Sequence, residues 1–178
     1  VMIKPFIGVL VLAMQSGALF AQPYPTKPIR YIIPFPPGGG QDLVGRALAP
    51  RLSEAMGQQV LIDNRPGGGT ILGAELAARS APDGYTIFMG SNTSLSINPV
   101  LHAKLPYDAL RDFAPITRIA TAANMLVVHP SLPVRSVREF TAFAKARPDQ
   151  LNYGSSGTGT PAHLAGVLFN DIASVKLV

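Results

Sequence analysis

Apolar residues come in two rhythms along this chain, and the alternation of those rhythms predicts its architecture. A short run at residues 29–33 leads into Pro34-Phe35-Pro36-Pro37-Gly38-Gly39-Gly40, after which Val44, Leu48, Leu52 and Met56 recur every fourth position. That spacing predicts a helix over about 41–56 with one apolar stripe lying on a sheet. Pro50 should kink it, and Gly57 is a natural stop. A second unit repeats the order: a run at 60–63, the turn Asn64-Arg65-Pro66-Gly67-Gly68-Gly69, and a helix near 70–80. The small Gly73, Ala74, Ala77 and Ala78 predict close packing of that helix. After the turn Pro82-Asp83-Gly84, a third run at 85–89 ends in Gly90-Ser91-Asn92-Thr93-Ser94. Strands alternating with helices over such lengths imply an α/β domain with a mainly parallel sheet.

Beyond Phe113 the texture changes. Runs at 116–119 and 125–128 read as strands, flanking the small, polar Thr121-Ala122-Ala123-Asn124, where a domain crossing is expected. This divides a first domain at 22–121 from a second at 122–178. The second should hold a helix near 137–146 capped by Ser136, a strand at 151–153 and the loop Gly154-Ser155-Ser156-Gly157-Thr158-Gly159-Thr160. Pro161 suits the first turn of a helix running to about 169. Residues 175–178 read as the start of a strand with neither crossover nor partner, so the chain is expected to be a fragment.

The N-terminus obeys neither rhythm. Lys4, an apolar stretch at 6–14 and the small-residue exit Ser16-Gly17-Ala18-Leu19-Phe20-Ala21 follow the order of a secretory signal peptide over residues 1–21. A bilayer span needs roughly 20 apolar residues, more than this run supplies. Export to the periplasm is the expectation. Loss of Lys4 with the leader lowers the net charge of +5 by one. The remaining basic residues are interleaved with acids, as in Arg111-Asp112 and Arg138-Glu139, and there is no tryptophan. A nucleic-acid surface concentrates charge in a stripe with aromatic platforms, so nucleic acid is not an expected partner. A chain without cysteine has no disulfides or thiolate chemistry, and must be held by packing of its 47% hydrophobic residues.

The loops carry the candidate chemistry. A glycine-rich loop that closes a strand and opens a helix leaves backbone N–H groups at the positive end of a helix dipole, which suits anions. Ligands of open α/β sheets sit beyond the strands' carboxyl ends, where such loops lie. Residues 36–42 and 154–160 are two such loops on either side of the expected crossing. Neither contains the lysine of a nucleotide P-loop. The third glycine of a dinucleotide fingerprint would fall on Leu43. Small carboxylic acids therefore fit best. A hydrolase would need Ser155 or Ser156, His163 and Asp42 in concert, but Gly154-Ser155-Ser156-Gly157 lacks the spacing of a nucleophile elbow. His102, His129 and His163 have no metal-ligand spacing, and no cofactor is expected. The turn at 64–70 is read equally as a packing device or a functional loop, and His163 equally as a cap of its own loop.

One family shares these motifs in this order. Tyr24-Pro25-Thr26-Lys27-Pro28-Ile29-Arg30, the loop ending at Asp42, Asn64-Arg65-Pro66-Gly67, Pro82-Asp83-Gly84-Tyr85-Thr86, Asn98-Pro99, Leu105-Pro106-Tyr107-Asp108 and the stretch from Gly154 through Thr160-Pro161-Ala162-His163 carry the likeness. The chain resembles the Bug-type extracytoplasmic solute receptors of tripartite tricarboxylate transporters. The resemblance implies a two-domain periplasmic-binding-protein fold of type II, flytrap-like and here truncated within the second domain. It implies capture of a small carboxylated solute, delivery to integral-membrane transporter subunits, and a monomer at full length. By the same likeness Pro37, Gly38, Gly39 and Asp42 belong to the first jaw. Ser155, Gly157, Thr158, Thr160 and His163 belong to the second, with Ser91 and Thr93 lining the cleft side. Asp42 is expected to hold water or the helix start rather than the ligand. A sensor component, a non-functional remnant and a serine hydrolase stand as alternatives.

Overall fold

The computed structural model of the protein describes residues 23–178, and the expected leader lies outside them. Its centre is strand β1 (Ile29–Ile33), paired in parallel with β2 (Val60–Asn64) on one side and β3 (Thr86–Phe88) on the other. A strand flanked by two others and covered on both faces is mostly apolar, and the one charge in β1, Arg30, is only half-buried and pairs with Asp63 of β2. Ile29, Tyr31, Ile32 and Ile33 are all buried, as that position requires.

Helix α1 (Gly40–Met56) connects β1 to β2 and lays the predicted stripe on the sheet. Val44, Leu52 and Met56 pack against a core of Ile29, Tyr31, Ile33, Ala49, Val60 and Met89. The helix runs on through Pro50, without the bond a backbone N–H there would have given one turn back. It ends at Gly57, whose left-handed φ of 67° closes the last turn. Helix α2 (Ile71–Ala78) packs against β1 and β3 and is preceded by a 3₁₀ turn, Gly68–Thr70. The small side chains matter here. A Cβ on Gly73 would sit 2.7 Å from Pro34 Cβ and 2.8 Å from the Arg65 carbonyl oxygen. α2 can therefore approach the ends of β1 and β2 only as glycine.

After β3 the chain enters a π-helical turn (Thr93–Ile97) and the short helix α3 (Asn98–Leu101), a stretch for which the sequence pattern predicted no element. Tyr107 and Phe113 then fasten the following segment. The Tyr107 hydroxyl donates to the Ser94 carbonyl at 2.6 Å, and Phe113 stacks on Phe88 at 5.3 Å.

Two expectations are corrected next. The runs at 116–119 and 125–128 are not strands, because no ladder partner lies beside them among the described residues. Apolar, β-branched composition suits a residue to a pleated surface but does not supply the neighbouring strand. Met125 is accordingly 84% exposed and Val127 75%. Helix α4 (Val137–Lys145) does form, with the Ser136 side chain accepting from the Glu139 N–H. α5 (Pro161–Ala173) extends four residues beyond the expected end and stops at Ser174 in the left-handed region. The final residues do find a partner. Leu151 and Leu177 form a parallel bridge, Tyr153 N–H donates to the Val178 carbonyl, and Val178 N–H donates to that of Leu151. The intervening helix supplies the crossover that the sequence reading denied them. No helix among the described residues is long and apolar enough to cross a membrane.

Candidate functional site

The first glycine loop leaves the carboxyl end of the central strand and becomes the start of α1. Gly38 takes a φ of 80°, a backbone state that favours glycine, and Gly39 caps the helix. No side chain accepts a hydrogen bond from the first turn of α1. A helix that starts this way leaves first-turn N–H groups available to an external acceptor. Pro37 and Gly38 are exposed at the tip.

Asp42 is the exception to that openness. Its carboxylate is buried and accepts from the Gly38 N–H (2.8 Å), Arg46 Nε (2.8 Å) and Asn64 Nδ2 (2.9 Å). The Arg46 guanidinium, the Gly38 amide and the Asn64 amide together hold its pKa down to about 2, against an ordinary 3.8. The carboxylate is therefore ionised and fully occupied. It faces the loop, and its charge is neutralised by Arg46, whose own pKa is raised by the same contact. The only acid in the first turn is thus paired with a cation.

Asn64, the last residue of β2, completes this knot. Its Nδ2 also donates to the Phe35 carbonyl at 3.1 Å, and Arg46 Nη2 reaches its Oδ1 at 3.4 Å. Arg46 is not distinguishable in the sequence from an ordinary surface residue, and Asn64 stands out there only as the start of a turn and of a shared motif. Only the folded register, which sets Asn64 beside Ile33, puts them at the loop.

The turn after β2 is more strained. Gly67, Gly68, Gly69 and Thr70 all have positive φ, from 56° to 133°. Thr70 is held there while buried, where a β-branched residue is strongly disfavoured. Asn98, from α3, steadies the turn by donating Nδ2 to the Gly69 carbonyl at 2.9 Å. The Asn98-Pro99 pair is visible in the sequence, but the partner 29 residues away is not.

The second glycine loop is built by its own side chains. Thr160 caps α5 with Oγ1, which accepts from the His163 N–H and donates to the Gly157 carbonyl at 2.7 Å. His163 Nδ1 accepts from the Gly159 N–H, and Ser155 Oγ from the Gly157 N–H. Ser155 and His163 are thus both committed to the loop's amides, not to each other. Gly157 and Thr158 are exposed, and Gly157 has a φ of 122°.

Among the described residues no hydrogen bond joins the first loop to the second. The second rests instead on α3 and the triple-glycine turn. A Cβ on Gly159 would lie 2.8 Å from Leu101 Cδ1, and one on Gly69 would lie 3.9 Å from the Thr158 carbonyl oxygen. Ser91 bonds reciprocally with Ser94. Thr93 is buried in the π-helical turn. A concavity of about 710 Å³ lies elsewhere, between Leu95, Pro99, His102 and the turn at Asp108. It is open, and Asp108 and Arg111 bond one another there, so it lacks the convergent free donors of the loops.

An α/β domain with glycine loops at its strand ends defines a ligand-binding class, and comparison narrows it. The chain belongs to the TctC family, the tripartite tricarboxylate transporter family receptors, whose model matches residues 44–178. A UPF0065 protein of Bordetella pertussis is 40% identical over 168 residues, covering 90% of this chain and 51% of that one. Protein BugT of the same organism is 36% identical over 165 residues, covering 92% and 51%. The chain spans about half the length of the curated relatives it matches. Among solved structures, R. palustris Rpa4515 with adipate superposes with a TM-score of 0.84 at 37% identity, covering 87% of this chain and 52% of that one. MatC from Rhodopseudomonas palustris with bound malate superposes at 0.74 and 26%, covering 87% and 53%.

Proposed function

We propose that this chain is the ligand-capturing portion of a periplasmic solute receptor, which binds a small carboxylated solute for a tripartite tricarboxylate-type transporter and performs no chemistry on it. One observation carries the reading. α1 opens on a glycine loop with no side-chain cap, and the one acid there is turned inward and neutralised. A helix end contributes about 0.3–1 kcal/mol, up to about 2 when partly buried, to holding an anion. Micromolar affinity needs about 8 kcal/mol, so one loop is insufficient and the second must close on the same solute.

In this reading residues 22–121 and 122–178 belong to two jaws of a type II flytrap. Pro37, Gly38 and Gly39 present backbone to one end of the solute. Ser155, Gly157 and Thr158 present theirs to it from the other side, on a loop shaped by Thr160 and His163. Ser91 edges the cleft, while Asp42 and Thr93 act from behind. The adipate and malate held by the two R. palustris relatives set the expected scale, a short dicarboxylate. Residues 1–21 serve export, integral-membrane subunits receive the solute, and the receptor works as a monomer.

Isothermal titration of the purified protein with adipate, malate and the uncharged hexane-1,6-diol tests this. Saturable binding of an acid with none of the diol is expected. Equal binding of the diol, or hydrolytic turnover of esters lost in Ser155→Ala, would overturn it.

A further inference from the structure

We infer that Asn64 is a positioning residue for solute capture: from the end of β2 it fixes the first glycine loop in its binding shape without touching the solute. The inference rests on the receptor reading above. Asn64 uses both amide hydrogens, one on the Phe35 carbonyl at 3.1 Å and one on Asp42 Oδ1 at 2.9 Å. Phe35 opens the loop, and Asp42 in turn holds the Gly38 N–H at 2.8 Å. One side chain thereby ties both ends of residues 35–42 to the sheet, across 29 and 22 positions of sequence. The loop has little else to hold it. Its only internal backbone bond is a long one, from Gly39 N–H to the Pro36 carbonyl at 3.3 Å. Gly38 and Gly40 have open space beside them, so no packing restrains them. Glycines lose the most conformational freedom on ordering, so an unfastened loop would charge that entropy against binding.

The charged groups facing the knot are Asp42 and Arg46, both from α1. Asp63 and Arg65, the chain neighbours of Asn64, pair with each other, and Asp63 also pairs with Arg30. Substituting Asn64→Asp sets a second carboxylate against Asp42 Oδ1. At pH 8 the two repel and the loop is released. At lower pH a proton shared between them restores the bond to Asp42, though not the one to the Phe35 carbonyl. Loop order in this variant should therefore follow pH, which a general loss of packing would not produce.

The experiment uses amide hydrogen-exchange protection factors and adipate affinity in wild type, Asn64→Leu and Asn64→Asp, with the β1 amides as an internal measure of folding. In both variants at pH 8 the Gly38 amide should lose about ten-fold or more in protection, the weight of one hydrogen bond to a charged group, while β1 keeps its own. Adipate affinity relative to wild type should fall by a similar factor. In Asn64→Asp, but not Asn64→Leu, both should recover towards wild type at pH 5.5. Unchanged Gly38 protection, or losses in Asn64→Asp that do not depend on pH, would overturn the inference. If wild type binds no carboxylate while Gly38 protection still follows Asn64 as stated, the loop-positioning role stands and the receptor reading fails.

Discussion

Gly73→Ala should be the most informative single methyl added to this protein, because it wedges apart the bases of two glycine loops. Its Cβ would meet Pro34 Cβ at 2.7 Å, Pro34 Cα at 3.0 Å and the Arg65 carbonyl oxygen at 2.8 Å. Pro34 begins the first loop and Arg65 leads into the triple-glycine turn. None of these atoms is the far end of a flexible side chain, so relief requires backbone movement. Two effects oppose. Alanine in a helix is worth about 1 kcal/mol over glycine. Overpacking a close-packed site costs about 1–3 kcal/mol, and rigid backbone neighbours place this site at the upper end. Overpacking wins by about 2 kcal/mol. At about 2–4 °C per kcal/mol for a chain of this size, the Tm should fall by about 4–8 °C. Gly40→Ala is the control, since open space surrounds that position at the start of α1. Its Tm should stay level or rise. Thermal unfolding followed by circular dichroism measures both, and a Gly73→Ala protein as stable as wild type would refute the assigned close approach.

Other consequences follow from the same contacts. The folded-state pKa of Asp42 is about 2, below its ordinary 3.8, so its contribution to stability is complete above pH 3.8 and is lost as pH falls towards about 2. Tm measured across that window should fall more steeply in wild type than in Asp42→Asn, and equal slopes would contradict the assignment. Gly159→Ala forces a φ of 77° on a residue with a Cβ and pushes on Leu101, costing about 1–2 kcal/mol for the backbone alone in urea unfolding. Adding Leu101→Ala should recover part of the loss, whereas strictly additive effects would show that the second loop does not rest on α3. Asn98→Leu leaves the Gly69 carbonyl without its donor and should cost about 1–3 kcal/mol by the same measurement, with no change if the turn holds itself.

The sequence was most readable where a segment's own periodicity decides its structure. Val44, Leu52 and Met56 announce α1, and Ser136 announces α4 by a cap three residues long. Legibility failed where the outcome depends on a distant partner. Ile116 and Met125 look like strand residues, yet strand formation needs a neighbour that no local pattern reveals. The Leu151–Leu177 pairing is the converse, a partner supplied across a helix that was itself predicted. The candidate site divides in the same way. Glycines betray loops, so residues 36–42 and 154–160 stand out in the bare sequence. The roles of the groups that shape the loops and turns do not, because Arg46, Asn64 and Asn98 acquire them only when β1, β2 and α3 come together.

The central claim is that both glycine loops serve one carboxylated solute. Its most direct measurement is an NMR titration of the ¹⁵N-labelled protein with adipate, following the backbone amides of Gly38, Gly39, Gly157 and Thr158. The account predicts that all four shift together along one saturation curve, while hexane-1,6-diol moves none of them. Shifts confined to one loop, or centred on the concavity near His102, would contradict it.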